Sequence, residues 1–226
     1  MAIIAVSGRK GGVGKSTVAG NLAGEFAAKG RSVLVLDADP QHSMAAWAAE
    51  GQGLLSRVVE KVAPTGDLRA RARAAAKETD VVLIDTPPGD PEIAYQAALA
   101  ADLVLLPCGP SPLDLFALKE ALSLALKARA ERRSKKPRVR FVPSRVVMST
   151  NLGRTLARVV MSTNLGRTLA SSLEQMGKKV LPPICLRVVV AEAVAQGLTV
   201  AEYAPGSTAH EEFRALAKAV EKILER

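Results

Sequence analysis

An apolar run, Ala2–Val6, is followed shortly by Gly11-Gly12-Val13-Gly14-Lys15-Ser16-Thr17, and then by a segment in which Val18, Leu22 and Phe26 recur every four residues as far as Gly30. A strand, a glycine-rich turn and a helix in that order tightly restrict what the chain can fold into and hold. Glycines let the backbone wrap around phosphate oxygens without a Cβ in the way. Successive backbone N–H groups and the amino end of the helix supply positive partial charge. In such a phosphate-binding loop Lys15 reaches the terminal phosphates, the Ser16 hydroxyl ligates Mg2+, and Thr17 approaches the α-phosphate. Arg9 stands where the standard form of the motif begins with glycine.

Four further runs, 33–36, 81–84, 103–106 and 139–142, are short, apolar and rich in Val, Leu and Ile. They do not alternate with polar residues, so each is predicted to be a strand buried on both faces. Helical patterns cover 16–29, 113–130 and 211–224. Alternation of this kind predicts one α/β domain with a doubly wound, mostly parallel sheet and helices on both faces. In such sheets ligands bind beyond the carboxyl ends of the strands, so segments 7–17, 37–41, 85–89, 107–114 and 143–145 are predicted to converge. The run 81–84 ends in Asp85, an acid placed to hold Mg2+ through a water. Asp37 and Asp39 flank one residue after the second strand. At least one of them must point at the mouth, where it could position an attacking water, and the other suits a helix N-cap.

Composition narrows the partners. Aromatic residues make up 3% of the 226 residues, which argues against a base-stacking surface. Two cysteines, Cys108 and Cys185, exclude a disulfide framework or a four-cysteine metal site within one chain, and both read as small core residues. The net charge of +9 points to a polyanionic partner. Lys127, Arg129, Arg132, Arg133, Lys135, Lys136, Arg138 and Arg140 form a dense basic stretch interrupted by one acid, Glu131. The amino terminus lacks a secretory pattern and no apolar run is long enough to span a bilayer, so the expected compartment is the cytoplasm. Residues 145–157 recur without change as 158–170. Thirteen residues rotate a helix by about 220°, so the two copies cannot present one face of a continuous helix. One copy reads as an insertion, and since each holds two arginines the chain stays basic without it.

Lys10-Gly11-Gly12-Val13-Gly14-Lys15-Ser16-Thr17 resembles the deviant Walker A motif of the ParA/MinD family of ATPases. Segments 37–41, 85–89 and 110–114, and the C-terminal residues from Arg187 to Ala217, are similar to the same family, most of all to its short ParA-type partition proteins. The resemblance implies a P-loop ATPase that forms an ATP-sandwich homodimer, with Lys10 crossing to the phosphates of the facing subunit. It implies Asp39 orienting the hydrolytic water, Asp37 near the metal and Arg145 enclosing the base. It further implies non-specific, nucleoid-associated DNA binding through Arg187, Arg214 and Lys218. A cargo-bound ParB-like or adaptor protein would stimulate slow hydrolysis, as in plasmid or chromosome segregation. The alternatives are a MinD-like membrane-associated positioning ATPase and a metabolic or cofactor-assembly P-loop enzyme. The stripe Phe213, Leu216, Ala217, Val220, Ile223 and Leu224 could serve a membrane, but it reads more simply as the core face of a last helix, so no membrane is expected.

Overall fold

The structure, a computed structural model, describes residues 1–63, 67–109, 111–134, 136–147 and 180–225. Most of the repeated segment therefore lies outside the described residues. Six parallel strands, β1 (Ala2–Val6), β2 (Val33–Asp37), β3 (Val59–Lys61), β4 (Val81–Asp85), β5 (Leu103–Cys108) and β6 (Arg138–Pro143), form one sheet in the order β3-β2-β4-β1-β5-β6. The five predicted strands are all present. The sixth, β3, is a half-exposed Val-Glu-Lys edge strand that is too short and too polar to signal itself. β1 lies between β4 and β5, so the loops after these three strands open side by side.

Helices α1 (Lys15–Ala28), α2 (Ser43–Ala49), α3 (Leu55–Val58), α4 (Leu68–Ala75), α5 (Pro91–Ala100), α6 (Pro112–Glu131), α7 (Val188–Ala195), α8 (Val200–Tyr203) and α9 (Thr208–Leu224) complete the described fold. Their starts are written locally. Asp90 accepts the N–H groups of Glu92 and Ile93 ahead of Pro91, Ser111 accepts that of Leu113, and Ser207 accepts that of His210. The first turn of α1 has no such cap, because Gly14 enters it in the left-handed region at φ 86°. Its amino-terminal N–H groups are thereby left facing the mouth of the sheet.

Two apolar layers cover the sheet. Ile3, Ala5, Val82, Val104 and Phe141 pack with α4, α5 and α6 on one side. Ile4, Val6, Leu83 and Leu105 pack with α1, α2 and α9 on the other. Leu22, Phe26 and Phe213 are almost wholly buried, each contributing about 1.5–3 kcal/mol of apolar burial. The C-terminal stripe belongs to this second layer, with Phe213, Leu216, Ala217 and Val220 buried and Ile223 and Leu224 packed at its edge. No described helix is long and apolar enough to cross a membrane.

A buried polar pair joins α1 to α9. The Gly206 N–H donates to His210 Nδ1 at 2.8 Å, which leaves the ring proton on Nε2, 3.0 Å from Glu25 Oε1. Burial pushes the Glu25 carboxyl above its ordinary 4.5, against the pull of His210 and Arg214. A raised folded-state pKa leaves stability intact while both states are protonated and removes it as pH rises. Glu25→Gln is therefore expected to stabilise the protein by about 1 kcal/mol near pH ~8 and hardly at all near pH ~4, read as melting temperature across that range. An equal effect at both ends would show that the carboxyl is not desolvated.

Candidate functional site

The carboxyl ends of β1, β2, β4 and β6 meet around a cavity of about 690 Å3. Gly11, Gly12, Gly14, Lys15, Ser16 and Thr17 form its floor, and Asp39, Pro88, Ser144 and Arg145 line its sides. The fifth predicted segment, after β5, reaches the same rim through Asp114, which pairs with Lys10. All five loops thus converge where the alternation of strands and helices placed them.

Lys15 is buried at the loop, and its ammonium donates to the Lys10 carbonyl at 3.2 Å. Burial lowers its pKa, and the nearby Asp85 and Asp39 carboxylates oppose that fall. Lys10 behaves differently. Its side chain is 40% exposed and its ammonium is held by Asp114, outside the ring of backbone that Lys15 enters. Val13, between the glycines, is buried, and its carbonyl accepts the Ser144 hydroxyl at 2.6 Å.

Two carboxylates, Asp85 and Asp39, face Lys15, and a third, Asp37, stands beside Asp85. Asp37 and Asp85 sit opposite one another on β2 and β4, both fully buried. Burial raises the Asp85 pKa to about 7, the Ser16 hydroxyl favours its charged form, and Asp37 pushes it further up. Neither Asp85 oxygen makes a hydrogen bond of good geometry. Like charges paired across adjacent strands and a buried carboxylate without partners are costly unless a cation sits between them. That donor set, Asp85 with the Ser16 hydroxyl, suits a hard divalent cation such as Mg2+.

Asp37 is also raised by burial, but both its oxygens are occupied. They accept the N–H groups of Asp39 at 3.2 Å and Ala45 at 2.9 Å, the latter in the first turn of α2. Asp37 thus does the helix-capping work foreseen for one member of the pair, and it can act on a cation mainly through its charge. Asp39 is the member that lines the cavity, its carboxylate braced by the Gln41 N–H at 2.9 Å.

Two arginines make contacts that the sequence did not foresee. Arg145, expected over a base, takes a left-handed backbone at φ 55° and donates to the Gly12 carbonyl at 2.5 Å. It therefore ties the side of the cavity to the phosphate loop. Arg187, expected on DNA, lines the cavity and pairs with Glu212 at 2.6 Å. Arg214 pairs with Glu211 at 2.8 Å on the exposed face of α9, where Lys218 is exposed too.

Sequence reasoning missed the apolar wall of the cavity, made by Ile184, Leu186, Val190, Ala191 and Val194. A signal existed. α7 reads Val-Val-Val-Ala-Glu-Ala-Val-Ala, yet only Ala193 is buried. An apolar helix of which only part packs on the core, as Val189, Val190 and Val194 do, marks a place for an apolar ligand surface. Cys185 is buried as expected but also lines this wall, whereas Cys108 is a core residue.

Over 128 residues the chain is 40% identical to the maintenance of carboxysome distribution protein A of Gloeobacter kilaueensis, a match covering 55% of this chain and 56% of that protein. It is 30% identical to the chromosome-partitioning ATPase Soj of Thermus thermophilus, across 96% of this chain and 94% of that protein. Among solved structures, the septum site-determining protein MinD of Pyrococcus horikoshii, complexed with Mg-ADP, superposes with a TM-score of 0.73 at 20% identity. That superposition spans 99% of this chain and 97% of MinD, and at such identity it bears on the fold alone. With residues 4–200 also matching the CobQ/CobB/MinD/ParA nucleotide binding domain, the chain belongs to that family.

Proposed function

We propose that this protein is a ParA-type positioning ATPase. It takes Mg-ATP into the cavity, forms a sandwich dimer while the γ-phosphate is present, binds DNA without regard to sequence, and is released when a partner on the cargo stimulates hydrolysis. The carrying observation is the division of labour between two lysines, with Lys15 buried in the loop and Lys10 at the rim on Asp114. A cation outside the cradle is placed to neutralise a phosphate held by a second copy. It couples nucleotide state to association, because the contact disappears with the γ-phosphate.

The other residues take roles that their positions support. Backbone N–H groups at Gly12 and Gly14 and the Lys15 ammonium hold the phosphates. The apolar wall from Ile184 to Val194 takes the planar base. Ser16 and Asp85 would hold Mg2+, which neutralises charge on the β- and γ-phosphoryl oxygens when bound with the nucleotide. Asp39, fixed by Gln41, orients the attacking water. Arg214 and Lys218 on α9 contribute phosphate contacts to DNA. The carboxysome-distribution and chromosome-partitioning relatives support a cargo-moving role.

Light scattering with ATP and Mg2+ tests the central step. The wild-type protein is expected to dimerise with ATP but not with ADP. Lys10→Ala is expected to stay monomeric in both while its ATP affinity changes by less than about threefold, because Lys15 still holds the phosphates. A Lys10→Ala dimer at saturating ATP would overturn the reading.

A further inference from the structure

A phosphate loop attracts an anion only when its peptide groups present N–H to it, not C=O. In a trans peptide the two point in opposite directions, so whatever holds a carbonyl also aims the next residue's N–H. Three consecutive carbonyls of this loop are held. The Gly14 carbonyl accepts the Val18 N–H at 2.9 Å, as the first bond of α1. The two before it lie outside the helix and are held by residues that follow β6. The Val13 carbonyl accepts the Ser144 hydroxyl at 2.6 Å, and the Gly12 carbonyl accepts the Arg145 guanidinium at 2.5 Å. On the far side of those two peptides, the N–H groups of Val13 and Gly14 donate to nothing among the described residues.

Glycine makes an outside hold necessary. Gly12 and Gly14 have φ of 71° and 86°, and without a Cβ the peptides beside them rotate at little cost. A flipped peptide would turn its carbonyl dipole toward the anion and repel it. The two outside donors are themselves fixed. Ser144 is 2% exposed, and its N–H donates to the Cys108 carbonyl at 2.9 Å. Val146, on the other side of Arg145, donates to the Ile184 carbonyl at 3.1 Å and accepts the Leu186 N–H at 2.9 Å. Arg145 takes its left-handed φ of 55° between these two anchors. A residue with a Cβ keeps such a backbone only where its surroundings impose it.

We propose that Ser144 and Arg145 are positioning residues for the triphosphate. They hold two consecutive loop carbonyls away from the anion, so that the Val13 and Gly14 N–H groups meet its oxygens. This rests on the nucleotide reading above and deepens it, giving Arg145 a task at the phosphates and not at the base. Donors fixed before the anion arrives need no reorganisation when it binds. Neither side chain has to touch the nucleotide in this role. The bond to the Gly12 carbonyl uses one donor of the guanidinium, so a lysine ammonium can stand in for it. Through Val146 the same strut is bonded to Ile184 and Leu186, two residues of the apolar wall.

The test is competition against a fluorescent ATP analogue by two probes, inorganic tripolyphosphate, which has no base, and adenosine, which has no phosphate. Ser144→Ala and Arg145→Ala are each expected to weaken tripolyphosphate binding about tenfold and to leave adenosine binding unchanged. Arg145→Lys, which keeps a donor, is expected to recover most of the loss. Unchanged circular dichroism guards against misfolding. Undiminished tripolyphosphate binding by the alanine variants would overturn the proposal. So would a loss confined to adenosine, which would return Arg145 to the base, or an equal loss for both probes, the mark of general damage. An Arg145→Lys variant as weak as Arg145→Ala would overturn it too. A wild-type protein that takes up neither ATP nor tripolyphosphate would instead overturn the nucleotide reading itself, which tells the two failures apart.

Discussion

Replacing Asp85 with asparagine is expected to raise the melting temperature of the nucleotide-free protein while cutting Mg-dependent ATP turnover at least about a hundredfold. The two effects share one cause. Asp85 is buried without a well-made hydrogen bond, opposite the buried Asp37, and its pKa rises to about 7. Removing its charge leaves Lys15 still facing Asp39, so no cation is orphaned. The relief is expected to be about 1–2 kcal/mol, or about 2–8 °C for a domain of this size. The same substitution removes the anionic oxygen best placed for Mg2+, so turnover falls. Thermal unfolding without nucleotide and phosphate release with Mg-ATP read the two halves separately. A lower melting temperature would refute the repulsion, and surviving turnover would refute the metal role.

Gly197→Ala is expected to destabilise the protein by about 3 kcal/mol or more and to weaken ATP binding more than about tenfold. Gly197 has a φ of 67°, and a Cβ there would lie 2.2 Å from the Gly51 nitrogen and 2.7 Å from the Glu50 carbonyl carbon. Backbone cannot move aside as a flexible side chain can. The contact joins the segment after α2 to the turn after α7, and it is reinforced by the Trp47 ring N–H donating to the Leu198 carbonyl at 3.2 Å. Forcing these backbones apart shifts Val194 and the rest of the apolar wall, hence the loss of affinity. Gly30→Ala is the control. Its φ is 77° but nothing lies within 4 Å, so only the left-handed penalty of about 1–2 kcal/mol is expected. Equal melting temperatures for the two variants would show that the close approach at Gly197 carries no weight.

The phosphate loop, the five main strands and the convergence of their carboxyl ends were legible in the sequence. Each is a local pattern, since Gly11 to Thr17 is contiguous and a strand buried on both faces must be apolar throughout. Asp85 was legible because it ends such a run. The division between Asp37 and Asp39 was legible only as alternatives. Which of them caps α2 depends on where Ala45 lies, and that is a property of the folded turn.

The sequence by itself determined the fold class and the phosphate chemistry, because both depend on residues adjacent along the chain. The tertiary structure alone decided what Arg145 and Arg187 touch and where the apolar wall stands. Those outcomes turn on pairs such as Arg145 with Gly12 and Arg187 with Glu212, brought together from distant parts of the chain. A long arginine side chain can serve a base, a carbonyl or a phosphate equally well. Only the position of the partner, set by how the layers pack on the sheet, selects among them.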